Sequence, residues 1–153
     1  MSPVGPRVDP VAAGLARRRR RSGERGEALA AAHLESLGWT IVSRRVRMGR
    51  DEIDLVAVEP ATSPGEPGTL VVVEVRTRAS ERYGTPEESV DAAKVRRLYR
   101  AAWHLSTLPE LPDGTPVPPL PIRVDLLAVD DAPAIGPGAG GPAFRHVRAI
   151  EPS

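Results

Sequence analysis

Residues 70–78 read LVVVEVRTR. The aliphatic, largely β-branched side chains at 70–73 and 75 predict a strand bound for the core. Glu74 and Arg76 interrupt that pattern. They stand two positions apart, so a strand puts both on one face. A buried strand with a carboxylate and a guanidinium on one face needs something nearby to compensate them.

The flanking segments say what that is. Trp39–Arg47 and Glu52–Val58 are further strand candidates, joined by the turn signal Met48-Gly49-Arg50. The loop PATSPGEPG then leads into residues 70–78, and strands at this spacing predict an antiparallel meander. If Val58 pairs with Leu70, Asp54 falls opposite Glu74 and Glu52 opposite Arg76. Directly opposed residues have Cβ atoms roughly 4.5–5.5 Å apart, a destabilising distance for like charges. A shared proton or a cation compensates such a pair. A hard divalent ion such as Mg²⁺ needs few protein carboxylates and keeps other positions for water and phosphate oxygens. Glu52 opposite Arg76 reads more simply as a cross-strand ion pair.

A helix is expected on each side of this meander. GERGEALAAAHLESLG predicts one from Gly23 to Leu37, capped by Ser22 and stopped at Gly38. Its apolar stripe is Ala30, Leu34 and Leu37, and Glu27 lies on that stripe. A first-turn carboxylate interacting with the helix dipole explains Glu27 without invoking function. TPEE opens the second helix, with Thr85 as cap and Pro86 in the first position. Val95, Leu98, Ala102 and Leu105 form its core stripe. Lys94, Arg96, Arg97 and Arg100 make either a solvated face or a ridge for phosphates. IRVDLLAV is a fourth strand and AFRHVRAI a final one, separated by the flexible stretch DDAPAIGPGAGGP.

The chain has 153 residues and a net charge of +1. That length suits one domain with a real core. The charge is uneven, because residues 1–22 hold six arginines and one aspartate, whereas the remainder carries 15 basic and 19 acidic residues. Residues 1–22 read as a disordered basic tail and residues 23–151 as a single domain. The acidic balance of that domain requires any nucleic-acid contact to be local. The absence of cysteine excludes disulfides and thiolate chemistry and fits a cytoplasmic protein. No apolar run is long enough to cross a membrane, and none resembles a secretory signal. His33, His104 and His146 have no partner at metal-ligand or triad spacing, and no nucleophile elbow supports a serine hydrolase.

The segments GERGEALAAAHLESLGW, DEIDLVAV, VVVEVRTR, YGTPEESVDAAKVRRL and RVDLLAV, in that order, resemble the UPF0102 (YraN-like) family over roughly residues 23–130. The resemblance implies an α/β, restriction-endonuclease-like fold: a central mixed β-sheet flanked by α-helices in αβββαββ order, shared with nucleases of the PD-(D/E)xK type. It implies that Asp54 and Glu74 bind Mg²⁺ or Mn²⁺, helped by the Val75 carbonyl, and that Glu27 approaches the same ion. Arg76 departs from the family pattern, which has lysine there. Arginine keeps the charge and can grip a phosphate oxygen, but it cannot act as a base at neutral pH.

These readings leave two main functions open. One is a Mg²⁺-dependent endonuclease acting on DNA, with Asp54, Glu74, Arg76 and Glu27 at the centre and Lys94, Arg97 and Arg78 on the nucleic-acid backbone. The other is a nucleic-acid-binding or scaffold protein that keeps the fold and has impaired catalysis. A metal-free protein–protein module ranks third. A homodimer stays open, since junction-cleaving relatives of the fold act as dimers.

Overall fold

The computed structural model describes residues 9–78, 90–131 and 140–151. Its elements are α1 (Pro10–Ser36), β1 (Thr40–Met48), β2 (Asp51–Glu59), β3 (Thr69–Arg78), α2 (Ala92–Ser106), β4 (Ile122–Asp130) and β5 (Ala143–Val147). This is the expected αβββαββ order. The five strands form one sheet in chain order. Only β3 and β4 run parallel, so the sheet is mixed. A parallel pair requires a crossover, and α2 lies within it.

Helices cover both faces of the sheet. On one face α2 contributes Leu98, Ala102 and Leu105 to a cluster with Val56, Leu70, Val72 and Val124. On the other, Ala30, Ala31 and Leu34 of α1 pack with Leu55, Ala57, Val71, Val73, Leu127 and Val129. Burial on both faces is why β3 reads as an unbroken apolar run and not as an alternation. Gly26 lets α1 approach β3 closely, since a Cβ there would lie 2.3 Å from Thr77 Oγ1. No helix among the described residues is long and apolar enough to cross a membrane.

Both helices start elsewhere than the sequence suggests. The first begins at Pro10, with the Asp9 carboxylate accepting from Val11 N–H at 2.9 Å, and not at Gly23 under a Ser22 cap. Residues 10–22, read as part of a disordered tail, are therefore helical, while residues 1–8 lie outside the described residues. The cause is propensity. Pro10 is preset for the first turn, and the Ala, Leu and Arg that follow favour helix. Leu37 is the C-cap and half exposed instead of part of the core stripe. The second helix begins at Ala92, where the Asp91 carboxylate accepts from Lys94 N–H at 2.8 Å. Thr85 and Pro86, expected to open it, lie outside the described residues.

One irregularity positions the site. Leu55 and Ala57 belong to the α1-side cluster, but Ile53 belongs to the α2 side. The alternation of β2 therefore breaks at Asp54. Across the ladder, β1 pairs Arg44 with Leu55 and Val46 with Ile53, and Arg45 between them has φ 51. That left-handed conformation costs a non-glycine residue about 1–3 kcal/mol.

Candidate functional site

The register expected between β2 and β3 is present. Val58 pairs with Leu70, and the ladder runs to Leu55 and Val73 before it ends. Beyond it, Asp54 accepts a hydrogen bond from Val75 N–H at 2.9 Å. The Asp54 carboxylate thus takes the place of a strand partner, which fixes it beside Glu74. Val75 meets the site here through its N–H.

Glu74 is buried, at 4% exposure. Its Oε1 lies 3.3 Å from an Arg76 Nη and 3.4 Å from Lys94 Nζ. Its Oε2 has no hydrogen-bond partner, and neither has Arg76 Nε. Burial, the adjacent Glu74 charge and a side-chain hydrogen bond to Glu74 that favours the protonated form push Asp54 up to about 7, against the pull of the Val75 N–H and of Lys94. Two carboxyl groups share a confined space, and one of them resists ionisation.

Arg76 does not pair with Glu52 as the register suggested. It folds back onto Glu74, its neighbour on the same face of β3, because a buried carboxylate attracts it more strongly than an exposed one. The sequence assigned Lys94 to the nucleic-acid backbone, but α2 brings it directly to Glu74. Arg97, Lys94, Arg50, Asp51, Glu52 and Asp54 line a cleft of about 230 Å³. Arg100 holds the lining Asp51 by a two-pronged bond at 2.8 and 2.9 Å. The side chain of Arg78, at the end of β3, lies outside the description.

Glu27 comes from the helix on the opposite face. It accepts from Arg45 Nε at 2.7 Å, and Arg45 also reaches Glu24 at 3.3 Å. Burial raises the Glu27 pKa, and the charges of Asp54 and Glu52 add to that, while the Arg45 bond opposes it. Glu27 therefore senses Asp54 but is held by Arg45. Among the described residues no three acidic or histidine side chains converge as a ready metal cluster. The donor set that is assembled is Asp54 with the unpartnered Glu74 oxygen. That suits a hydrated Mg²⁺ or Mn²⁺, which needs only one or two carboxylates.

A second charged cluster went unread in the sequence. Asp125 on β4 is fully buried. It accepts from Arg123 Nε and Nη2, both at 2.8 Å, and from Ala149 N–H at 2.9 Å, and it meets His146 Nε2 at 2.8 Å. Burial opposes its charge, but the Arg123 fork, His146 and Ala149 outweigh it and hold its pKa at about 2. Arg123 and Arg148 also grip Glu59 and lie over the Trp39 ring. His33 stacks on Phe144. His33 and His146 thus have structural partners.

Comparison with known proteins bears on this geometry. The model of "Uncharacterised protein family UPF0102" matches residues 26–129. A UPF0102 protein of Symbiobacterium thermophilum is 44% identical over 115 residues, which is 74% of this chain and 86% of the relative. One from an Arthrobacter species is 41% identical over 130 residues, 84% and 93% of the two chains. One from Deinococcus radiodurans is 43% identical over 108 residues, 71% and 79%. The matched region runs from Gly26 to Val129 in the Asp125 strand and includes Asp54, Glu74 and Lys94.

Proposed function

The chain belongs to the uncharacterised protein family UPF0102, and on that premise we propose that it is a divalent-metal-dependent phosphodiesterase acting on nucleic acid, DNA in the first place, with a restriction-endonuclease-like fold and a PD-(D/E)xK-type site. The observation that carries the reading is the Asp54–Glu74 pair. Two carboxyl groups are forced together, and a buried Glu74 oxygen has no donor, beside a cleft that Asp54 lines together with Asp51, Glu52, Arg50, Lys94 and Arg97. A structural pair would be satisfied; a cation between the two carboxyls would satisfy this one. The mixed sheet and αβββαββ order support the fold.

Asp54 and Glu74 would hold Mg²⁺ or Mn²⁺, with Glu27 and the Val75 carbonyl as further donors. Such an ion, when bound, lowers the pKa of water and neutralises charge on a phosphate. The protein's own groups do the rest. Val75 N–H orients Asp54. Arg76 and Lys94 flank Glu74 and offer positive charge to a phosphate oxygen. Lys94 brings from α2 the ammonium that Arg76 replaces with a guanidinium on β3. The work of the motif lysine therefore passes from β3 to α2. That removes the main reason for reading the chain as catalytically impaired.

The test is cleavage of linear, flapped and four-way DNA and of single-stranded RNA by the purified chain with Mg²⁺ or Mn²⁺. Metal-dependent cleavage is expected. It should be abolished in Asp54→Asn and lowered about 100-fold or more in Lys94→Met. Arg76→Lys should cleave at least as fast as wild type. No cleavage of any substrate by wild type or Arg76→Lys, with metal binding undiminished in Asp54→Asn, refutes the proposal.

A further inference from the structure

The chain has two tryptophans in opposite settings. Trp39 is 5% exposed and packed in the core, whereas Trp103 is 74% exposed on the outer face of α2. An indole is among the costliest apolar groups to leave in water, so its exposure calls for a partner. We propose that Trp103 stacks an unpaired base of a strand whose phosphates lie along Arg97 and Arg100 and enter the Asp54–Glu74 cleft. The preferred ligand is then nucleic acid with unpaired nucleotides. This deepens the nucleic-acid reading above and rests on it.

The helix supports this by its layout. It carries Lys94, Arg96, Arg97 and Arg100 and no carboxylate. Lys94 is engaged by Glu74 and Arg100 by Asp51. No ion pair holds Arg96 or Arg97 among the described residues. Arg97, Arg100 and Trp103 follow one i, i+3, i+6 row, so the indole lies about 9 Å along the axis from the arginine lining the cleft. Cations tracking a backbone beside an exposed aromatic ring are the combination that binds single strands, because every unpaired base offers a π-face and a duplex hides it. A protein interface fits less well. Such interfaces are poor in charge at their centre, and the helix neighbours of Trp103 are Arg96, Arg100 and Tyr99, whose hydroxyl is tied to the Ile150 carbonyl. Phosphate positions the strand and the indole selects its unpaired state.

Fluorescence tests this directly, because Trp39 is sheltered. With the full chain in EDTA, an oligothymidylate of about 12 nucleotides should quench the exposed emission, and an equal-length blunt duplex at the same phosphate concentration should not. By anisotropy, Trp103→Ala should bind the oligothymidylate about tenfold more weakly, Trp103→Phe should recover most of the loss, and duplex affinity should be unchanged. Single strand bound equally by wild type and Trp103→Ala overturns the inference while leaving the nucleic-acid reading standing. No binding of either probe by wild type overturns both. Sedimentation showing self-association that Trp103→Ala abolishes assigns the patch to a second copy of the chain and also overturns the inference.

Discussion

Replacing Asp54 with asparagine should stabilise the metal-free protein at pH 8, although it removes the centre of the proposed site. The Asp54 carboxyl is pushed from 3.8 to about 7 by burial and by Glu74. Below pH 4 it is protonated in both the folded and the unfolded chain and contributes no difference. As pH rises from about 4 to 7 the unfolded chain releases that proton and the folded chain keeps it, so folding loses stability through this window. Above about pH 7 the penalty is constant. At 1.36 kcal/mol per pH unit its ceiling is about 4 kcal/mol. Relaxation of the pair and water entry through the open cleft bring it nearer to 2 kcal/mol.

Asparagine keeps an amide oxygen for Val75 N–H and discards the charge. Asp54→Asn should therefore unfold at higher urea than wild type at pH 8, by about 2–4 kcal/mol, and the gap should close by pH 4. For a chain of this size that corresponds to roughly 5–15 °C in thermal midpoint. Saturating Mg²⁺ should stabilise wild type and leave Asp54→Asn unmoved, because only a folded state that binds the ion is favoured by it. A variant no more stable than wild type at pH 8, or a gap unchanged between pH 4 and pH 8, refutes the claim that two carboxylates are confined here.

Three other perturbations probe the surroundings. Asp125→Asn should destabilise by about 3 kcal/mol in urea titrations, because it removes the buried charge that Arg123, His146 and Ala149 N–H share, although Arg123 keeps Glu59 as a partner. In wild type, the stability Asp125 contributes is complete above about pH 4 and is lost as pH falls towards its value of about 2, so the variant's acid limb should be shallower. Gly26→Ala should cost about 1–3 kcal/mol through its contact with Thr77 Oγ1, and the cost should largely vanish in a Thr77→Ala background, where that oxygen is gone; equal cost in both backgrounds would place the strain elsewhere. Arg45→Ala releases Glu27, so calorimetry should find Mn²⁺ bound several-fold more tightly, with the gain cancelled by adding Glu27→Gln; unaltered affinity confines Glu27 to its ion pair.

The meander and its register were legible because they depend on local rules. The apolar runs ending at Val58 and starting at Leu70 fix the pairing, and the pairing puts Asp54 next to Glu74. Two features were not legible because they depend on how elements pack. Lys94 reaches Glu74 only because α2 covers the face of β3 that carries it. Arg45 takes a left-handed conformation without the glycine that would have signalled it, and its side chain then captures Glu27. The first helix was read too short for a different reason. The Pro, Gly and arginine run of residues 1–22 resemble a disordered basic tail, but Ala, Leu and Arg are strong helix formers and carry the helix back to Pro10.

The sheet also contains its own control for the reading of Glu74. Neighbouring strands β3 and β4 each bury a carboxylate two residues from an arginine on one face, Glu74 with Arg76 and Asp125 with Arg123. In sequence, EVR and RVD look alike. In the fold they differ. Each Asp125 oxygen has two polar partners, one prong of the Arg123 fork plus His146 or Ala149 N–H. Glu74 places two cations on one oxygen and none on the other, and its remaining neighbour is a second carboxyl that must keep a proton to hydrogen-bond with it. Leaving a buried acceptor unmade costs about 1–3 kcal/mol, and confining two carboxyls adds to it. Asp125 has the satisfied geometry expected of a group retained for folding. Glu74 shares a confined space with a second carboxyl, an arrangement that folding alone disfavours. The difference in satisfaction, and not the shared presence of buried charge, is what separates a candidate reactive centre from a structural ion pair one strand away.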